Sequence, residues 1–362
     1  MSAVKTVGGL AEVVLPCADL EAAMAFFDQL GFRLDTIMPA DDPTVALMVG
    51  HGLRLCLDRD AAGAAAAIRL TGGTGEPRRL TAPNGTVVEI VGPPETVALP
   101  APALELTRSA DATAANAERV GRAGMHYRDL LPSRQGGRVI ASHIRIEDGG
   151  PVADYVHHHR VRFQVIYCRR GWVRVVYEDQ GPAFVLEEGD CALQPPHIRH
   201  QVLESSPGLE VVEVTCPATH PTHADHELVL PTPTLRGERD FGGQRFVRHR
   251  ADQAEWRAWR APGFEVRDTG IGRATDGLAG VRVVRAAEAS ATSSTRHDAD
   301  LQVWYVTHGR ASLRLNGRPD ESLGSDDAVS IPAGLDHALV DCSRDFELLE
   351  VTLPAEPAFS SS

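Results

Sequence analysis

The chain has 362 residues, 43% of them hydrophobic, and a formal net charge of −13; this bounds it to two or three packed domains and works against binding a nucleic-acid backbone. No apolar run approaches the roughly 20 residues of a membrane span, and the opening MSAVKTVGGL lacks the charged start and long apolar core of a signal peptide, so a cytoplasmic setting without a membrane partner is expected. Cys17, Cys56, Cys168, Cys191, Cys216 and Cys342 stand far apart with no CxxC pair and read as buried reduced thiols, while Lys5, the only lysine, lies near the N-terminus and excludes Schiff-base chemistry.

In chain order, residues 1–97 come first. EVVLPCADLEAAMAFFDQLGF reads as an apolar strand and a helix that ends at LGF, and TAPNGTVVEIVGPP as a turn followed by a strand. These segments resemble the vicinal-oxygen-chelate (glyoxalase/bleomycin-resistance) family, a small α+β domain. The resemblance places metal positions on Glu12 and Glu89, yet GLRLCL and AAIRLTG offer no clear His or Glu, and the second module lacks its helix. Either a partner chain completes the ligand set or the domain serves docking or dimerisation. A homo-oligomer is expected, because a domain incomplete alone and barrels with open sheet edges leave surfaces to cover. PPETVALPAPALEL then leads through a linker over residues 98–118, with a short helix expected over DATAANAERV.

The remainder is an internal repeat. Arg128-Asp129 with Arg134 is matched by Arg267-Asp268 with Arg273, HHHRVRFQVIYCRRG by TRHDADLQVWYVTHG, GDCALQPPHIRH by DDAVSIPAGLDH, and VVEVTCP by LLEVTLP, with matching spacings between landmarks. Short β-branched runs between Gly, Pro and Asp turns make both copies all-β barrels, at residues 119–232 and 233–356. Features shared by both copies, including Arg128, Asp129 and Glu213-Val214-Thr215, are expected to serve the fold. Features of the first alone are expected to serve chemistry.

In the first copy His157 and His159, two apart on a strand, project to one face, Gln164 follows the next turn, and His200 lies on a later strand after GDxxxxPP. Three imidazoles in a barrel suit a divalent first-row metal with open positions. Gln164 is either a fourth ligand through its amide oxygen or an acceptor behind the ligands. His158 points away. The second copy keeps His297, Gln302 and His337 but has Thr295 where His157 stands, which reads as a weak second metal site or a structural duplicate; a histidine at 295 would complete it. His143 and Arg145 alternate on the preceding strand and are candidates for catalysis or substrate binding if they face the cavity, the alternative being an exposed face. His220, His223 and His226 of HPTHADHE are expected in a capping loop, with a metal site the alternative.

The segments resemble the two cupin motifs, G…HxHx4(E/Q)x6G and Gx5PxGxxH, met by His157, His159, Gln164 and Gly171, and by Gly189, Pro195 and His200. Gln164 stands where many cupins have glutamate, and His197 where the PxG glycine stands. The resemblance implies a mainly β chain of two double-stranded β-helix (jelly-roll) barrels, a bicupin, behind the small α+β domain. All-neutral ligand sets are similar to those of ring-cleaving and thiol dioxygenases. The expected function is therefore a dioxygenase-type oxygenase acting on a small anionic or enolisable metabolite, with Fe(II) first and Mn, Ni or Zn behind. A metal-dependent isomerase, lyase or decarboxylase, or a non-catalytic metabolite-binding protein, is the alternative.

Overall fold

The computed structural model describes residues 10–39, 41–72, 75–92, 99–111, 117–288 and 290–361, which divide into two units, Met1–Ala98 and Leu99–Ser362. In the first unit Asp19 caps the helix Leu20–Gln29 by accepting from the Ala22 N–H (3.0 Å), and the helix buries Leu20, Ala23 and Phe27. Gly31, at φ 89, turns the chain out of it. The strands Val13–Pro16, Leu53–Asp58, Val45–Gly50 and Arg33–Met38 form one sheet in that spatial order, the first pair parallel. Ala67–Thr71, Val87–Val91 and Arg78–Thr81 form a second sheet, and both share a core containing Leu15, Phe27, Phe32, Leu55, Ile68 and Val88. Among the described residues no helix is long and apolar enough to cross a membrane.

Leu99–Ser362 is mainly β and carries two jelly-roll barrels, each of two facing sheets. Strand alternation builds both. In Phe163–Arg170, Phe163, Val165 and Tyr167 point away from their own barrel, while Cys168 and Ile166 point into it. Leu301–His308 repeats this with Leu301, Val303 and Tyr305 outward and Trp304 and Val306 inward. The outward sets of both barrels merge into one core, where each fully buried Val, Leu or Phe contributes about 1.5–3 kcal/mol relative to exposure.

The barrels also exchange edges. Val247–His249, expected to start the second barrel, pairs with Cys191–Leu193 of the first. Glu105–Thr107, inside the expected linker, pairs with Ala328–Ser330 of the second. Within the expected linker the strand Glu105–Thr107 thus covers a sheet edge that would otherwise present unpaired N–H and C=O groups. Of the expected helix over DATAANAERV, residues 112–116 lie outside the described residues, and Arg119–Val120 is a strand. The repeated arginines complete the seam: Arg128 Nη2 donates to the Asp326 carbonyl (3.3 Å) and Arg267 Nη2 to the Gly189 carbonyl (3.2 Å), equivalent turns of the opposite barrels. The glycine closing each HxH motif is dictated locally, since a Cβ on Gly171 (φ 78) would lie 2.3 Å from Ser206 Oγ and one on Gly309 (φ 72) 2.8 Å from the Phe346 backbone.

Candidate metal centre

Period-two alternation decides which histidines of the triplet face inward. In the strand His157–His159, His157 and His159 are buried, and His158 lies opposite, stacked on His223 (centroids 5.1 Å apart). His200 begins the neighbouring strand His200–Ser205 and pairs in register with His157. The His157 and His200 rings are 4.2 Å apart, and His159 lies 5.1 and 5.3 Å from them. The coordinating nitrogens fall within 4.8 Å of one another.

Each ring is held from behind. His157 Nδ1 donates to the Tyr155 carbonyl (2.8 Å) and His200 Nδ1 to the Ile198 carbonyl (3.0 Å), while His159 Nδ1 meets the Thr222 hydroxyl (3.0 Å). With the proton on Nδ1, Nε2 presents its lone pair inward. Burial pushes all three pKa values down: His159 to about 3, with His157 and His220 adding; His200 well below its ordinary value, with its two ring neighbours adding; and His157 through burial and then the Arg122 charge. The rings are neutral near pH 7, and His157 Nε2 is buried without a hydrogen-bond partner. Three neutral imidazoles and one orphaned inward nitrogen fit a divalent metal ion.

Asp154, itself buried, lies 3.7 Å from His157 Nδ1, is paired with Arg122 and accepts from the Val202 N–H (3.0 Å). Gln164 is inward and buried, and neither atom of its amide has a hydrogen-bond partner within normal limits; its oxygen is free to complete a shell. Tyr177 stacks on His200 (5.5 Å) and receives a hydrogen bond from Gln194 Nε2 (2.8 Å). Beyond these rings lies a cavity of about 60 Å³, walled by Ile144, Ile146, Ile166, Val173, Leu186 and Val211, with Arg122, Gln194 and Glu213 as its polar edge. Burial pushes the Glu213 carboxyl above its ordinary pKa, against the opposing pull of His220, Gln164 and Arg122.

Glu213 was expected to serve the fold, yet it faces the site. The legible signal is an acid on the same strand face as Val211 and Thr215 in Leu209–Cys216. Arg122, Tyr177 and Gln194 are further cavity residues that the motifs do not announce. His143 and Arg145, by contrast, do not join the site. Ile144 and Ile146 of the same strand line the cavity, so alternation turns the other two away, His143 to Glu210 (3.3 Å) and Arg145 to Glu118 and Glu147 (2.9 Å each). HPTHADHE supplies a strand, Thr222–Ala224, paired with His157–His159, and sends its histidines to different neighbours: His220 to His159, His223 to His158, His226 to Tyr155. His197, at the motif's glycine position, takes φ 66, a conformation that costs a side-chain-bearing residue about 1–2 kcal/mol.

The second barrel repeats the register, with Thr295 opposite His337, but not the chemistry. His297 and His337 are 5.7 Å apart. The Ala299 N–H donates to His297 Nδ1 (3.1 Å), which puts the ring proton of the neutral form on Nε2. Glu350, the counterpart of Glu213, is fully buried and gripped by Arg260 (2.7 and 3.1 Å), Trp304 Nε1 (3.1 Å) and Gln302 Nε2 (3.2 Å). Burial raises the pKa of its carboxyl, but the Arg260 charge and these bonds outweigh it and leave the value below the ordinary one. Two imidazoles, one in the wrong tautomer, beside a fixed guanidinium do not fit a metal ion. In the N-terminal unit Glu12 is paired with Arg54 (3.2 Å) and Glu89 with Arg69 (2.8 Å). Among the described residues neither belongs to a cluster of metal-ligand side chains.

No family model matches the chain, and no curated protein matches it. Solved structures do. Oxalate decarboxylase from Bacillus subtilis superposes with a TM-score of 0.51 at 15% identity, over 75% of this chain and 81% of that one. A structure of the same enzyme concerned with its Mn(II) centres gives 0.51 at 13% identity, over 75% and 82%. A variant of salicylate 1,2-dioxygenase from Pseudoaminobacter salicylatoxidans gives 0.49 at 14% identity, over 62% and 75%. The likeness to the decarboxylase is one of fold: two jelly-roll barrels in one chain.

Proposed function

We propose that the chain is a metal-dependent oxygenase of the dioxygenase type, acting on a small anionic or enolisable metabolite in the first barrel. The observation that carries this reading is the set of three buried, neutral imidazoles, His157, His159 and His200, each held at Nδ1 and turned toward one point. Neutral ligands leave the full charge of a divalent ion in place, which favours an anionic chelating substrate and a metal able to reduce oxygen. Iron(II) is the first choice, with manganese, nickel and zinc behind. The protein's own contribution is positional. Gln164 offers an unpartnered buried amide and Arg122 a charge at the cavity edge, Tyr177 and Gln194 fix the His200 ring, and the apolar walls exclude water. The cavity's small volume favours a substrate of few heavy atoms.

A metal-dependent decarboxylase, lyase or isomerase is the second reading. It is favoured by Glu213, a carboxyl with a raised pKa on the cavity wall, placed to hold or move a proton without oxygen. Protein purified anaerobically and assayed for metal, then challenged with 2-oxo acids, 1,3-diketones and dicarboxylates in an oxygen electrode, separates the two. Oxygen uptake matched to product supports the oxygenase. Product without uptake supports the second reading, and binding without turnover a metabolite-binding role. Assembly into a homo-oligomer belongs to the same reading, and a light-scattering mass of one chain at micromolar concentration would count against it.

A further inference from the structure

The second barrel has lost the metal chemistry but has not been filled. A pocket of about 330 Å³ opens into it, between Trp259, Arg260, Thr295, Trp304, His337 and Phe359, which is of small-molecule size. Its charges are already matched. The Arg260 guanidinium lies 3.9 Å from the ring centroid of Trp259 and 3.8 Å from that of Phe359 and is spent on Glu350, and burial holds both imidazoles below their ordinary pKa. Its hydrogen bonds are not matched. Trp259 Nε1 is a buried donor without a partner, and His297 Nε2 and Gln302 Oε1 lie buried without partners behind the pocket. His337 Nδ1 donates to the Leu335 carbonyl (2.9 Å), which leaves its Nε2 as a lone pair. An acceptor on the pocket wall with no protein partner favours an occupant that donates to it.

We propose that the second barrel binds a neutral hydroxylated aromatic molecule, its ring among Trp259, Trp304 and Phe359 and its hydroxyl donating to His337 Nε2. Three aromatic walls select a flat ring. An internally neutralised Arg260–Glu350 pair gives an anion no net attraction, and the single free acceptor, His337 Nε2, matches one hydroxyl. The pocket is lined by the second barrel's own residues, which makes it a binding site distinct from the imidazole centre of the first barrel and independent of the reaction proposed there.

The test uses the full chain labelled with 15N-tryptophan, whose four indoles, Trp172, Trp256, Trp259 and Trp304, give separate N–H signals assigned through Trp259→Phe and its companions. Phenol is the probe. It should shift the Trp259 and Trp304 signals saturably and leave Trp172 and Trp256 in place, with benzoate at least about tenfold weaker. His337→Ala should weaken phenol by about tenfold, one lost hydrogen bond. Thr295→Phe, which fills the mouth from a half-buried strand position, should abolish the response with the fold retained, and so keeps the test decisive if the histidine variant misfolds. Three results would overturn the proposal: no saturable shift at Trp259 and Trp304, equal movement of all four signals, or benzoate binding as well as phenol.

Discussion

The two barrels share a fold, a register and most of a motif, yet they settle the same electrostatic problem in opposite ways. Each carries a glutamate on an interior strand face. In the second barrel Arg260 crosses to Glu350 and supplies the cation from within. In the first, Arg122 lies six residues before the repeated Arg-Asp pair, where Arg260 lies seven before its own, and it turns to Asp154 instead. Glu213 is left with no guanidinium bonded to it, and the space before the histidines stays open. The difference teaches that a missing histidine is only half of what separates the two interiors. The other half is where one arginine goes.

The largest effect expected from breaking the comparison is on metal content. Disturbing groups behind a metal ligand typically costs 10- to 100-fold in affinity, and removing the ligand costs more. His157→Ala should therefore strip nearly all metal on dialysis and abolish activity, whereas His337→Ala should keep the metal of the wild-type chain. Elemental analysis of dialysed protein reads both. Equal loss from the two variants would mean coupled sites and end the division of labour between the barrels.

Next in size is the internal cation. Arg260→Ala leaves the fully buried Glu350 carboxylate without its charge partner, and because the guanidinium itself is partly exposed and screened the loss should be about 1–3 kcal/mol. Adding Glu350→Gln should recover much of that loss. Glu213→Gln, which removes a carboxyl that burial already disfavours as an anion, should change stability by about 1 kcal/mol or less. Urea unfolding at constant pH measures all three. A mild Arg260→Ala would show that the guanidinium is solvated in place and not acting as the barrel's counter-charge.

Much of this was legible beforehand, and the reason is periodicity. A repeat with fixed turns and period-two alternation fixes which side chains share a face, so the two barrels and the convergence of His157, His159 and His200 could be read from spacing alone. The same rule resolves His143 and Arg145, once the structure shows Ile144 and Ile146 inward. The edge exchange was not legible: Glu105–Thr107 and Val247–His249 are three residues long, too short to carry a hydrophobic period. Nor were Arg122 and Arg260, whose destinations depend on loop paths that no local pattern encodes.

Acid should separate the barrels by slope. A histidine held neutral by burial binds fewer protons in the native than in the unfolded state, so its stabilising share is intact above the unfolded value near pH 6.5 and declines as pH falls below it. The decline ends only when the folded-state value is passed, about 4 for His297 and about 3 for His159. Each such group adds up to about 1.4 kcal/mol per pH unit to the slope. Metal-free protein should therefore lose stability steadily from pH 6.5 downward, and His159→Gln and His297→Gln should each flatten the curve by about one proton, with the His159 effect persisting to lower pH. Denaturant midpoints taken across about pH 7 to 3 check this, and a flat wild-type curve would contradict the buried, neutral state of the rings.

The smallest expected effect is the most discriminating. If the count of histidines alone decided metal binding, Thr295→His would rebuild the first barrel's ligand set in the second, because Thr295 and His337 already stand in the register of His157 and His200. Two features stand against it. The Ala299 N–H holds His297 with its proton on the inward nitrogen, and Arg260 ties up Glu350, a carboxylate that could otherwise join the histidines as a ligand. Metal content in Thr295→His should stay near one ion per chain. Combining it with Arg260→Ala removes the guanidinium and frees Glu350 as an anionic ligand, and the content should then rise toward two, with stability partly restored by added metal. A rise to two in Thr295→His alone would show that ligand number, and not the internal cation, divides the barrels.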